Sequence, residues 1–156
     1  MESNRLKSHE IFRLLRPQQL NAISTAAREV TYKAGESVFR KGDTVKSFYV
    51  VVEGQVELGF LGPDGMDILI DKVPEGSVFG ACVCFQLDTY SLNATCTQDS
   101  RILEIEATAL KRMMDEDLLL GNAIQSLISK VYFKRYIDTM HQLQTVIQRS
   151  FSAGAS

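Results

Sequence analysis

The chain has 156 residues, 45% of them hydrophobic and 23% charged, with a formal net charge of −2. That composition excludes a disordered chain and suffices for one domain with its own core. The near-balanced charge leaves no basic footprint for nucleic acid or an anionic membrane, and no apolar run reaches the roughly 18 residues that a membrane span needs.

The segment from Met1 to Glu10 is too polar for a signal peptide. Cys82, Cys84 and Cys96 make an odd number in a mid-sized chain and read as reduced thiols, so a cytoplasmic location is expected. The two histidines, His9 and His141, stand near opposite ends without local partners. No catalytic residue and no metal site is therefore expected.

Residues 8 to 28 read as two short helices. Ile11, Phe12, Leu14 and Leu15 form one apolar cluster before Arg16-Pro17 breaks it. Pro17 suits the opening of a second helix, in which Leu20, Ile23, Ala26 and Ala27 recur at helical spacing. From 30 to about 106, short β-rich runs alternate with glycine-bearing turns. The runs are Ser37–Arg40, Phe48–Val52, Gln55–Phe60, Asp67–Val73, Leu92–Thr97 and Arg101–Ile105. Such spacing predicts a sandwich or barrel. Val56, Leu58 and Phe60 alternate with Gln55, Glu57 and Gly59, the signature of a half-buried strand, and Pro63-Asp64-Gly65 predicts a hairpin turn.

Past Glu106, Thr108–Met114 reads as a short helix with Thr108 near its cap. Asp115-Glu116-Asp117 then places negative charge at the start of a long helix, expected from about Asp117 to Arg149. Its apolar stripe shifts phase near Val131–Phe133. Two packing regimes follow: the β domain first, then a second copy through Tyr136, Met140, Leu143 and Ile147. A homodimer is the expected assembly. Lys130, Lys134 and Arg135 read as a solvated stripe, and Ser150 to Ser156 as a disordered tail.

The order of these elements resembles the cyclic-nucleotide-binding domain, the family of the catabolite activator protein and the regulatory subunit of protein kinase A. The residues that carry the resemblance are Gly35-Glu36-Ser37-Val38-Phe39, Lys41-Gly42-Asp43, Phe48 to Val56, Asp64-Gly65, Val73 to Gly80, and Ala94-Thr95. It implies an α+β fold: an eight-stranded β-roll, or jelly roll, flanked by short N-terminal helices and a long C-terminal dimerisation helix. Residues 1–149 form the domain, with helices over 8–28, the roll over 30–106 and the C-terminal helices over 108–149.

The family's ligand site reads approximately Phe-Gly-Glu, a few apolar residues, then Pro-Arg-x-Ala-Thr. Its arginine pairs with the cyclic phosphate and its glutamate accepts from the ribose 2′-hydroxyl. Here Phe79 and Gly80 match one end and Ala94 and Thr95 the other, but Ala81 stands at the glutamate position and Leu92 at the arginine position. No arginine or lysine lies between Lys72 and Arg101. The candidate pocket is Phe79, Gly80, Ala81, Cys82, Val83, Ser91, Leu92, Asn93, Ala94 and Thr95.

Losing two hydrogen bonds to charged groups costs roughly 3–6 kcal/mol, or about 10²- to 10⁴-fold in affinity. Weak or absent binding of cAMP and cGMP is therefore expected. Backbone amides from Gly80 to Val83 would hold an anion only weakly, and Ala81, Val83, Phe85 and Leu92 suit an uncharged or aromatic effector. The three cysteines read as small packing hydrophobes. Iron–sulfur sensors of this fold use four cysteines, and haem-sensing relatives an axial Cys or His, a role open to Cys82 or Cys84. DNA-reading relatives continue into a helix-turn-helix domain, whereas seven residues follow Arg149, so no DNA-binding domain is expected. The resemblance implies a non-enzymatic regulatory module. It would sense a cyclic nucleotide or other small effector and signal through its C-terminal helix to a homodimer interface or a protein partner. The alternative is a ligand-free dimeric scaffold on the same fold.

Overall fold

In the computed structural model, which describes Arg13 and residues 15–154, eight antiparallel strands form two four-stranded sheets. The strands are β1 (Ala27–Tyr32), β2 (Ser37–Phe39), β3 (Ser47–Glu53), β4 (Val56–Leu61), β5 (Asp67–Val73), β6 (Val78–Phe79), β7 (Asn93–Cys96) and β8 (Ser100–Glu106). One sheet has the order β1-β8-β3-β6 and the other β2-β7-β4-β5. Helix α1 (Pro17–Ala26) precedes the roll, a 3-10 helix (Ala81–Phe85) follows β6, and α2 (Ala107–Glu116) and α3 (Leu118–Gly154) close the chain. The jelly-roll expectation holds. The first of the two expected N-terminal helices lies outside the described residues, apart from Arg13, Leu15 and Arg16.

Strand β3 shows why its sequence reads as a continuous apolar run rather than an alternating one. Side chains alternate between faces of a strand. Phe48 and Val50 pack on the helical side with Ile23, Leu103, Ile105 and Leu110, whereas Tyr49 and Val51 point into the roll with Val56, Phe79 and Ile102. Both faces are covered, so neither is polar. The Pro63-Asp64-Gly65 turn joins β4 to β5 as expected. Gly62 N–H donates to Met66 O at 2.8 Å, and Gly65 N–H to Gly62 O at 3.0 Å.

Asp117 makes the junction between α2 and α3. Its carboxylate accepts from Leu120 N–H at 3.1 Å, capping α3, and from Gln19 Nε2 at 2.9 Å, tying in α1. The Gln19 hydrogen bond, then that of Leu120, holds this carboxyl below its ordinary pKa. The first packing regime of the long helix, against the β domain, is visible, and its outer half is left exposed. Leu120, Ile124 and Ile128 are fully buried against the roll, whereas Phe133, Leu143, Val146 and Phe151 are exposed.

Most strand and helix ends shift by one or two residues from expectation, and three differences have a physical reason. Strand β1 begins at Ala27 where helix was expected to 28, because Ala27–Tyr32 pairs along its length with β8. Leu92 falls outside β7 and turns into a cavity described below. The segment expected to be a disordered tail after Arg149 stays helical to Gly154, and Ser150 Oγ donates back to Val146 O at 3.1 Å.

Candidate functional site

A cavity of about 630 Å³ lies between the roll and α3. Phe39 of β2, Leu58 of β4 and Ile70 of β5 form its floor. Cys82, Phe85, Leu87 and Leu92 form one wall in the segment after β6. The opposite wall is the face of α3 bearing Tyr132, Arg135, Tyr136, Thr139, Met140 and Leu143. Those positions recur at steps of three, one, three, one and three, which is one side of a helix.

Of the residues expected at a ligand site, Gly80, Cys82, Ser91 and Leu92 line this cavity. The others do different work. Phe79 is fully buried, its ring stacked on Tyr49 with centroids 4.9 Å apart. Ala81 is fully buried in the helical core with Leu15 and Leu20. Ala94 is buried between Phe39 and Leu58, its partners across the strands. Asn93 Oδ1 accepts from Lys41 N–H at 2.8 Å, and Thr95 sits in the β-ladder opposite Ser37 and Glu57. The side chain of Val83 lies outside the described residues.

Tyr136, Met140 and Leu143, read from sequence as dimer positions, line the cavity as well, while Ile147 does not. Tyr136 is nonetheless 58% exposed and Leu143 57%. The same helix edge therefore borders both the cavity and open solvent.

Arg135 corrects the expectation of a solvated basic stripe. Its side chain is only 13% exposed. Nε donates to Asp71 Oδ2 at 2.8 Å, Nη2 donates to Val78 O, and the guanidinium carbon stands 5.0 Å from the centre of the Tyr132 ring. The segment after β6 carries no cation, but the cavity has one, supplied by α3. The sequence signal was the helical register that Arg135 shares with Tyr132 and Tyr136. Its partner Asp71, on β5, had no signal of its own.

One of the backbone amides that would greet an anion, that of Ala81, is already in use, and the carbonyl of Cys84 is engaged as well. Ala81 N–H donates to the phenol oxygen of Tyr132 at 3.0 Å, and Gln125 Nε2 donates to Cys84 O at 2.6 Å. Helix α3 thus holds both ends of the 3-10 segment. Tyr132→Phe strands the buried Ala81 N–H and is expected to cost about 1–3 kcal/mol of stability, readable in urea denaturation. An unchanged midpoint would mean that the contact carries nothing.

The three cysteines do not converge. Cys84 packs against the helical core, and Cys82 and Cys96 against the roll interior. Burial raises the pKa of all three, that of Cys84 to about 11, which favours the neutral thiol. Among the described residues, no three His, Cys, Asp or Glu side chains gather as a metal would require.

A family model for the cyclic nucleotide-binding domain matches residues 29–117. The cAMP-dependent protein kinase regulatory subunit of Dictyostelium discoideum is 25% identical over 134 residues, covering 85% of this chain and 41% of that protein. The CRP-like cAMP-activated global transcriptional regulator of Mycobacterium tuberculosis is 25% identical over 101 residues, covering 65% of this chain and 45% of that one. The chain thus spans less than half the length of these relatives. A solved chain from Geobacter metallireducens superposes with a TM-score of 0.79 at 21% identity, covering 87% of this chain and 98% of that one, which speaks for the fold alone.

Proposed function

The chain belongs to the cyclic nucleotide-binding domain family, and from that premise we propose that it is a non-enzymatic sensor whose cavity takes a small ligand and whose output is the position of α3. One observation carries this reading: the cavity is walled by the roll on one side and by α3 on the other. A molecule there touches both. It shifts the helix to the extent that it binds one helix arrangement better than another.

The output surface is the outer half of α3. Phe133, Tyr136, Leu143, Ile147 and Phe151 follow one another at three-, seven- and four-residue steps and are exposed. That spacing is the seam of a paired helix, so the module works as a homodimer in the cytoplasm or docks on a protein partner. Because Tyr136 and Leu143 belong to cavity and seam alike, ligand occupancy and pairing are coupled. Among the described residues, no helix is long and apolar enough to cross a membrane.

The ligand is not a tightly held cyclic nucleotide. Ala81 and Leu92 replace the charged pair that the family motif uses, and Tyr132 occupies the Ala81 amide. Calorimetry with cAMP and cGMP is expected to give dissociation constants of roughly 0.1–10 mM. Saturation below about 50 μM would overturn this part of the reading. A ligand-free scaffold has one observation in its favour, since α3 itself satisfies the 3-10 segment through Tyr132 and Gln125. The cavity, lined by Gly80 and Leu92 rather than filled by them, supports the sensor instead.

A further inference from the structure

Among the described residues, Asp71 and Arg135 are the only charged ones lining the cavity. They are paired with each other at 2.8 Å, so their charges cancel and the rest of the surface is mostly apolar. The pair is incomplete, however. An arginine has five N–H donors. Nε serves Asp71 and Nη2 serves Val78 O, but Nη1 is buried with no hydrogen-bond partner among the described residues. A buried donor left without an acceptor is costly, so the guanidinium gains when it turns toward a group that supplies one.

The acceptor that suits a guanidinium best is a carboxylate, which it grips through two parallel N–H···O bonds. Asp71 uses one edge of the fork through Nε. It is also engaged elsewhere, its Oδ1 accepting from Lys72 N–H at 2.9 Å. The apolar side chains around Arg135 select the rest of the ligand. Leu58, Phe85, Leu92 and Met140 offer hydrocarbon contact and no hydrogen bonds.

We propose that the cavity takes an apolar molecule bearing one carboxylate, with Arg135 of α3 as its anion partner in competition with Asp71. This rests on the sensor reading above and narrows its ligand from any small molecule to an amphipathic acid. It also gives the helix a handle. Arg135 ties α3 to β5 through Asp71, and a ligand carboxylate exchanges that tie for one to the ligand. The roll then holds the helix through the ligand instead of through its own side chain.

The test compares decanoate with 1-decanol, which has the same chain and no charge, by calorimetry on the full chain. Decanoate is expected to bind ~10- to 100-fold more tightly than decanol, the worth of a charge-assisted hydrogen bond. Arg135→Met, checked for folding by its thermal transition, is expected to bring decanoate down to decanol and to leave decanol unchanged. Asp71→Asn removes the competing charge and is expected to tighten decanoate alone. Equal binding of decanoate and decanol, or weakened decanoate binding in Asp71→Asn, overturns the carboxylate assignment and leaves the ligand cavity standing. Binding of neither probe overturns both.

Discussion

Ile128→Ala is expected to lower the stability of the chain by about 2–5 kcal/mol, the range for truncating a fully buried aliphatic side chain. Ile128 is fully buried and belongs to the cluster that joins Leu110, Leu103 and Ile105 to Ile124 and Leu120. Its loss leaves a cavity at the last fully buried position of α3. Beyond it the helix is held by Tyr132 and Arg135, and past Leu143 it is exposed. At roughly 2–4 °C per kcal/mol for a chain of this size, the midpoint should fall by about 4–20 °C. Leu143→Ala supplies the comparison. Leu143 is 57% exposed, so its truncation should change monomer stability by less than about 0.5 kcal/mol. Similar losses at the two positions would mean that the inner and outer halves of α3 are not distinct, and that a signal could not move one without the other.

The end of the buried face was legible in the sequence, because the phase shift near Val131–Phe133 falls about one turn past Ile128, its last fully buried residue. Strand β5 was read to the residue, since Asp67–Val73 is bounded by the Pro63-Asp64-Gly65 turn and by Pro74. Strand β1 was harder. It lies at the edge of its sheet, none of its residues is fully buried, and Ala26-Ala27 fits the helix before it as well as the strand. Strand β6 is two residues long and has no period to detect. The cavity was legible only in part: of the segment from Phe79 to Thr95, Gly80, Cys82, Ser91 and Leu92 among the expected residues line it, and about a third of its lining comes from α3. Sequence spacing alone does not say which face of a helix meets a roll, so Arg135 read like its neighbours Lys130 and Lys134. Its contacts with Asp71 on β5, Val78 O and the Tyr132 ring separate it from them. Ala81 shows the converse. Counted as a lost ligand residue, it has become part of the core, and a glutamate restored there would be a carboxylate buried beside Leu20 and Leu15.

Gly80→Ala is expected to cost about 2–5 kcal/mol, combining a left-handed backbone with an overpacked neighbour. Gly80 has φ +69°, and a Cβ built there would stand 2.7 Å from Tyr49 Cδ2 and 3.2 Å from Phe39 Cε2. Those rings have little room to give. Tyr49 stacks on Phe79, and Phe39 stacks on Tyr90 with centroids 3.7 Å apart. Gly35→Ala isolates the conformational share, since Gly35 has φ +91° with open space where its Cβ would be. It should cost only about 1–2 kcal/mol. The comparison matters for function because Phe39 is the cavity floor and Gly80 is its rim. If the two variants lose the same stability in urea, the rings yield to the methyl group and Gly80 is required for its backbone angle alone. If Gly80→Ala loses more, the aromatic stack is a rigid floor. A ligand in the cavity would then press against α3 rather than into the roll, which is the direction a sensor needs.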